Sequence, residues 1–277
     1  MNKIDHLLDD IQTAQETGDR FLEGLSNAKI GKLLLERNIY GEAVHYYQRA
    51  ASVFEEGNLF NHQVRSLNHL GICLVMMDQP ENALTHLKLA NEIADEEGDP
   101  ALQAAVAGNL GLAYSALNDY AKAIKAHKTV LENAEQLGDL ALQLNALINL
   151  ADSNLQNKNY QSARGFALVA LDLAESLNSV SSKVLVYDLL GMISSRQSDL
   201  QSAVDYHQQA YLTAKSIGDL QRQAIALANQ GLALEGLTEL KKALQALQEA
   251  QDIFLLLKSN YLEKTQVDLA RIKKALS

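Results

Sequence analysis

The sequence is poor in residues that interrupt helices or cross-link a chain. Among its 277 residues are one cysteine, no tryptophan and two prolines. The single cysteine, Cys73, cannot form an internal disulfide, and because it lies in an apolar run we expect it to be a small buried core residue. Scarce proline with abundant alanine and leucine is typical of helical proteins with close helix–helix contacts. We therefore expect an all-α protein in a reducing compartment, with a cytoplasmic location.

Basic residues and long apolar runs are scarce as well. The formal net charge is −10 at pH 7. A nucleic-acid-binding surface needs a face rich in Lys and Arg, so we expect no nucleic-acid partner. No apolar run approaches the roughly 18 residues of a membrane span, and the N-terminal residues show no apolar signal segment. We therefore expect no membrane partner.

What the sequence does have is a period of 40 residues. Alanine recurs at this spacing in six successive places, Ala43, Ala83, Ala123, Ala163, Ala203 and Ala243. Glycine keeps the same spacing at Gly31, Gly71, Gly111, Gly191 and Gly231, and Ala151 takes the remaining position. A fixed period of this length predicts a stack of identical supersecondary units, an α-solenoid, rather than a globular enzyme core.

Each unit has the pattern of two helices joined by short turns. In residues 99–138, Asp99 is a candidate N-cap and Pro100 stands at the first helical position. Asn118 and Asp119 interrupt the helical pattern, and Gly138 supplies a left-handed residue after the second helix. The Gly-Asp pair recurs at residues 18–19, 98–99, 138–139 and 218–219; residues 57–58 look like a version shifted by one residue, and residues 178–179 like a substitute. Such short connections predict antiparallel helical hairpins.

The recurring glycine and alanine positions indicate where two helices approach most closely. A larger side chain there would push the helix axes beyond their usual separation of roughly 8–10 Å, so we expect Ala123→Leu to destabilise the fold by overpacking. The pattern predicts about fourteen helices in one solenoid domain over residues 1–277. It comprises an N-terminal capping helix (1–18), six repeats (19–58, 59–98, 99–138, 139–178, 179–218 and 219–258) and a C-terminal capping helix (259–277).

The unit resembles the tetratricopeptide repeat (TPR). The resemblance lies in the Leu-Gly pair that ends at Gly71, Gly111 and Gly191, in Tyr114 three positions later, and in the alanine of the second helix, and it spans essentially the whole chain. The period departs from the roughly 34 residues usual in this family. It is similar to the longer-helix subclass of Pins-type polarity adaptors, kinesin light chains and bacterial Rap-type regulators. The resemblance implies a right-handed superhelix whose first helices line a concave groove for peptides or helices of partner proteins.

Polar residues at recurring positions of the first helices are the candidate groove contacts. They are Lys29, Lys32, Arg65, Asn68, His69, Asn109, Asn145, Asn149, Asp152, Asp188, Arg196 and Asn229. Three asparagines share one position, and an amide that both donates and accepts suits the backbone of an extended peptide. The resemblance implies that this position holds partner main chain. Alternatively, each asparagine only bridges to the neighbouring repeat or to water.

The two ends of the chain differ in charge. The first two of these helices are basic, through Lys29, Lys32, Arg65 and His69. This predicts an acidic end of the ligand, unless it is ordinary surface charge. Near the other end, Leu255 and Leu256 stand where earlier repeats carry charged residues or serine. Either the C-terminal helix covers them, which is the simpler interpretation, or together with that helix they form a contact between copies of a homo-oligomer.

No motif for catalysis, a metal or a cofactor is present in the sequence. His127 and His207 share a repeat position with apolar and aromatic residues, which indicates packing, and His62 and His69 lack a third metal ligand. We therefore predict a non-enzymatic protein–protein interaction scaffold without metal or cofactor. Its partner is a protein or peptide. The alternatives are a peptide-sensing regulatory module and an oligomer assembled through the solenoid ends.

Overall fold

A computed structural model describes residues 3–277, and these residues form fourteen α-helices and no strand. In chain order the helices are α1 (Lys3–Thr17), α2 (Arg20–Glu36), α3 (Tyr40–Glu56), α4 (Phe60–Met76), α5 (Pro80–Glu97), α6 (Pro100–Ala116), α7 (Tyr120–Leu137), α8 (Leu140–Gln156), α9 (Tyr160–Ser176), α10 (Val180–Arg196), α11 (Leu200–Ser216), α12 (Leu220–Gly236), α13 (Leu240–Leu257) and α14 (Tyr261–Leu276). The predicted all-α, TPR-like fold is confirmed.

The chain divides into two compact units, Met1–Ala146 and Leu147–Ser277, with the boundary inside α8. From α2 to α13, the even-numbered helices are the first of each hairpin (A helices) and the odd-numbered helices are the second (B helices). In the first unit α2 packs on α3, α4 on α5 and α6 on α7, and α4 also contacts α6. In the second unit α10 packs on α11 and α12 on α13, and α10 contacts α12. The A helices α4 and α6 of the first unit, and α10 and α12 of the second, therefore lie side by side.

The connections between hairpins use a left-handed residue at one fixed position of the repeat. Glycine fills it at residues 18, 98, 138 and 218, where φ lies between 66° and 73°. Asparagine fills it at Asn58 (φ 55°) and Asn178 (φ 52°), because a short polar side chain tolerates this conformation. Gly57 itself has φ −85°. The predicted one-residue shift is therefore wrong, since the left-handed residue stays in register.

Aspartate caps follow several of these residues. The Asp19 carboxylate accepts a hydrogen bond from Leu22 N at 2.9 Å, and Asp99 accepts one from Ala101 N at 2.8 Å. Asp139 and Asp219 cap α8 and α12 in the same way. Each bond satisfies an amide that the first turn of a helix leaves without a partner, so the predicted N-caps are confirmed. Ser179 differs, because its hydroxyl donates to Ser182 Oγ instead.

The small residues stand where helices approach closely. All six alanines of the B-helix position are fully buried, and so is Cys73, whose thiol has its pKa raised to about 11 by burial. A Cβ placed on Gly111 would lie 2.3 Å from His127 Cε1, and one on Gly191 would lie 2.5 Å from His207 Cε1. Glycine in the A helix thus makes room for a large ring from the B helix.

The C-terminal helix α14 closes the core of the second unit only in part. Leu269 and Ile272 are buried, and the Arg271 guanidinium donates two hydrogen bonds of 2.7 Å to Glu235 of α12. Leu255 and Leu256 nevertheless remain 62% and 71% exposed. The expectation that α14 covers these leucines is therefore wrong, because its buried side chains Leu269 and Ile272 pack against α12 and the first half of α13 instead.

Candidate functional site

Four of the predicted contacts meet at a cavity of about 200 Å³ in the first unit. We call it the cationic pocket; it is lined by Leu25, Ala28, Lys29, Lys32, Tyr47, Phe54, His62, Arg65, Ser66 and His69. The aromatic rings of Tyr47 and Phe54 are buried, whereas Lys29, Lys32 and Arg65 are exposed. The pocket therefore combines apolar walls with three permanent positive charges.

Helical spacing brings these side chains together. The α2 residues at positions 25, 28, 29 and 32 share one face of the helix, as do the α4 residues at positions 62, 65, 66 and 69. The B helix α3 packs against both α2 and α4 and contributes Tyr47 and Phe54. The Phe54 and His62 rings are stacked with centroids 5.1 Å apart, and the Tyr47 and His69 rings lie 5.2 Å apart.

The cations of this pocket are not engaged in ion pairs within the described part of the chain. Among residues 3–277, Lys29, Lys32 and Arg65 form no ion pair with a carboxylate. The lining contains no Asp, Glu, Asn or Gln side chain. Burial lowers the pKa of His69, and the nearby positive charges of Lys32 and Arg65 lower it further. A hydrogen bond of 2.8 Å between His69 Nδ1 and the Arg65 carbonyl has the opposite effect and raises the pKa, but by less than burial lowers it. His69 is therefore neutral near pH 7.

Tyr47 leaves a polar atom without a partner in the wall of this pocket. Its side chain is 2% exposed, and its hydroxyl makes no hydrogen bond within the described part of the chain. Burial raises the pKa of this phenol far above its ordinary value, with smaller contributions from Cys73 and Glu36. Tyr47 therefore keeps its proton at neutral pH, as a buried donor without an acceptor in the described part of the chain.

In the second unit, two predicted contacts form a closed polar network with a buried histidine. Asn229 Nδ2 donates to Asp188 Oδ1 at 3.0 Å. His207 Nδ1 lies 2.8 Å from the same oxygen without a hydrogen bond between them, and the His207 ring is 1% exposed. The network joins α10, α11 and α12, so these side chains find partners inside the protein.

The asparagines differ in their partners. Asn109 Nδ2 donates to Asn68 Oδ1 of the preceding A helix at 2.8 Å, as Asn229 donates to Asp188. These two hydrogen bonds agree with the alternative that the asparagines bridge to the neighbouring repeat. A side chain that bridges repeats can also contact a ligand. The remaining predicted contacts lie exposed or half-buried on α8 and α10, at Asn145, Asn149, Asp152 and Arg196. Asp152 accepts a hydrogen bond from Gln156 on its own helix.

Sequence reasoning missed the walls of the cationic pocket and the partner of one histidine. Tyr47 and Phe54 lie on a B helix, outside the predicted groove positions, and only their size opposite Gly31 and Gly24 could have indicated that they reach α2. His207 was predicted to be a packing residue. The available signal was Asp188, because a carboxylate stands at that repeat position only in this repeat.

No group of three or more His, Cys, Asp or Glu residues in the described chain is arranged to hold a metal ion. Within residues 3–277, no helix combines the length and the apolar character required to cross a membrane.

Family comparison identifies the repeat. Residues 62–136 match the family model "Tetratricopeptide repeat", and residues 102–176 match it a second time. These segments are tetratricopeptide repeats. The resemblance predicted from the recurring Leu-Gly and alanine positions is confirmed. No curated protein matches this sequence.

Solved structures share the TPR fold. A signal-transduction ATPase (STAND) protein with a TPR sensor from Pyrococcus horikoshii superimposes with a TM-score of 0.71 at 15% identity; the match covers 92% of this chain and 43% of that one. A Rap protein complexed with competence and sporulation factor superimposes with a TM-score of 0.61 at 16% identity, and the match covers 96% of this chain and 79% of that one. The apo form of the quorum sensor NprR from B. thuringiensis superimposes with a TM-score of 0.66 at 16% identity, and the match covers 99% of this chain and 93% of that one. This chain thus spans less than half of the Pyrococcus protein.

Proposed function

We propose that this TPR chain is a non-enzymatic interaction module whose A helices bind a peptide or helical segment of a partner protein. The acidic end of that segment lies at the cationic pocket. One observation carries the proposal: Lys29, Lys32 and Arg65 stay exposed and unpaired with carboxylates among residues 3–277, in a protein with a net charge of −10. Clustered cations next to an apolar cavity attract an anionic ligand and give its apolar side chains a place to bind.

Each unit has further polar positions on its A helices. They are Asn68 and Asn109 in the first unit and Asp188, Arg196 and Asn229 in the second. In the proposal their free donor and acceptor atoms contact the backbone of the partner, with Asn145, Asn149 and Asp152 of α8. Such contacts are largely independent of the partner's side chains.

The structural relatives support a protein or peptide as the partner. One of them, a Rap protein, is complexed with competence and sporulation factor, and another, NprR, is a quorum sensor. They also favour the peptide-sensing form of the proposal, in which binding changes the state of a larger regulator. We propose a cytoplasmic protein, on the ground of its single unpaired cysteine. The proposal involves no cofactor, metal, nucleic acid or membrane.

A second candidate function is self-assembly through the C-terminal end. Leu255 and Leu256 are more than half exposed, next to a half-exposed Tyr261. Exposed adjacent leucines favour a contact with a second copy of the chain. Sedimentation of the protein over a range of concentrations tests this, with Leu255→Glu/Leu256→Glu expected to abolish association. A monomer at every concentration would exclude it.

The binding proposal is tested with arrayed peptides that differ in net charge. We expect acidic peptides to bind and basic ones not to, with affinity that falls as salt is added. Lys29→Ala/Lys32→Ala/Arg65→Ala should weaken binding by at least about tenfold, at a cost of roughly 1.4 kcal/mol. The matched control Lys88→Ala/Lys125→Ala/Lys128→Ala removes three exposed lysines from α5 and α7 and should bind as the original protein does. Equal losses in both variants would contradict the proposal.

A further inference from the structure

The cationic pocket has a composition more specific than that of a general acidic-peptide site. We infer that it is a subsite for a phosphoryl group carried on an aromatic ring, the chemistry of a phosphorylated tyrosine side chain. The inference rests on the proposed function, since it specifies which group of the partner segment enters this pocket.

The pocket presents hydrogen-bond donors and positive charges without competing side-chain acceptors such as carboxylates or amides. Lys29, Lys32 and Arg65 supply three charges, and the Ser66 hydroxyl is already bonded to the His62 carbonyl. A single carboxylate would balance only one of these charges. A phosphoryl group brings about −1.5 to −2 charges and three acceptor oxygens. The planar guanidinium of arginine also matches two phosphoryl oxygens at once.

The Tyr47 hydroxyl provides an independent observation. It is buried in the wall of the pocket and makes no hydrogen bond within residues 3–277. Leaving a buried O–H without an acceptor destabilises the folded state, so such a group is retained at a cost. A phosphoryl oxygen in the pocket would accept this hydrogen bond and remove that cost.

The walls favour an aromatic carrier for the phosphoryl group. Phe54 stacks with His62 at one side, and Tyr47 packs against His69 at the other. Aromatic rings add attraction beyond their buried area when they stack in offset or edge-to-face arrangements. A volume of about 200 Å³ suits one side chain rather than a folded segment. The backbone of the partner would then continue along the A helices.

The charges around His69 make it a reporter of binding. Lys32 and Arg65 lie close enough to lower its pKa, and Lys29 and His62 line the same pocket. The carboxylate that acts on the neighbouring Tyr47 is that of Glu36. An anion among these cations would offset their repulsion of a protonated imidazole. We therefore expect the pKa of His69 to rise when the pocket is filled.

Small probes test the subsite directly. Calorimetry would compare phenyl phosphate, inorganic phosphate and phenylacetate with the full chain at low salt. We expect phenyl phosphate to bind at least about tenfold more tightly than either of the others, because only it offers both the dianion and the ring. Equal affinity for phenylacetate would overturn the phosphoryl assignment, and equal affinity for inorganic phosphate would overturn the aromatic carrier.

Two variants separate binding from folding. Tyr47→Phe removes only the unpartnered hydroxyl, so it should weaken phenyl phosphate binding several-fold while leaving the melting temperature unchanged or higher. Ala28→Asp places a carboxylate among the cations and should weaken binding by at least about tenfold. The control Gly41→Ala lies on an exposed part of α3 with open space around it and should have no effect on binding. Unchanged affinity in both pocket variants would contradict the inference.

The outcomes also separate this inference from the proposed function. If acidic peptides bind and phenyl phosphate does not, the subsite is wrong and the interaction module stands. If phenyl phosphate binds and no arrayed peptide does, the subsite stands and the peptide-binding function is wrong. A tyrosine-phosphorylated peptide that binds more tightly than its glutamate counterpart would support both.

Discussion

The α2–α4 region of the first unit and the α10–α12 region of the second have the same fold and opposite chemistry. Four repeats after Lys29, Lys32 and Arg65, the corresponding positions are the apolar residues Leu189, Met192 and Ile225. The position of Tyr47 is taken by His207, and that of Ala28 by Asp188. In the first unit Lys29, Lys32 and Arg65 therefore form no ion pair among residues 3–277, whereas in the second unit Asp188 accepts a hydrogen bond from Asn229 and lies 2.8 Å from His207.

This difference shows how a repeat protein can place a binding site without changing its fold. The glycine and alanine positions fix how the helices pack, so side chains on the exposed face of an A helix vary freely between repeats. We expect a polar cluster such as Asp188, Asn229 and His207 to stabilise the joint between helices. Cations without a carboxylate partner, such as those of the cationic pocket, leave electrostatic free energy to be gained by binding an anionic ligand.

The largest expected effect comes from the A-helix glycine position that both regions share, tested at its occurrence in α6. Gly111→Ala would place a Cβ 2.3 Å from the buried ring of His127, so we expect the free energy of unfolding to fall by about 3 kcal/mol. The control Gly108→Ala meets only Val130, at 3.8 Å, and should be neutral or slightly stabilising. Denaturant unfolding of both variants makes the measurement. Similar stabilities would show that the glycine position does not govern the packing.

A second prediction sharpens the comparison between the two buried histidines. His127 has no carboxylate beside it, and burial lowers its pKa to about 4. The unfolded chain, with an ordinary pKa near 6.5, binds this proton more readily, so stability is lost as pH falls from about 6.5 towards 4. Between pH 7 and pH 5 the loss is about 2 kcal/mol.

Replacing that histidine isolates its contribution. Leucine occupies the same repeat position at Leu87 and Leu247, so His127→Leu should preserve packing while removing this part of the pH dependence. Unfolding experiments at pH 7 and pH 5 would compare the two proteins. An identical pH dependence would mean that folding does not lower the pKa of His127.

The smallest effect concerns the network of the second unit. Asp188→Ala removes the acceptor of Asn229 and the charged neighbour of His207. Because the Asp188 side chain is partly exposed, water can replace some of the lost contacts, and we expect a loss of about 1 kcal/mol. Asp205→Ala, on the exposed face of α11, serves as the control and should change stability little. A loss no greater than that of the control would show that the network does not stabilise the joint.

Much of the fold was predictable because the repeat fixes local structure. The period located the helices, and the Gly-Asp pairs located their ends, since a left-handed residue followed by an N-cap is a local signal. The site was less predictable. Whether Asn109 contacts Asn68 depends on how two helices 41 residues apart are rotated against each other. The exposure of Leu255 depends on where α14 comes to rest, and composition alone does not determine this.

The central claim is that the unpaired cations of the first unit form the ligand site and that the matched positions of the second unit do not. Nuclear magnetic resonance of histidine-labelled protein during a phenyl phosphate titration tests it most directly, because histidines mark both regions. We predict that the His62 and His69 signals shift and the pKa of His69 rises, while the His127 and His207 signals stay in place. Shifts confined to His207, or none at His62 and His69, would contradict the claim.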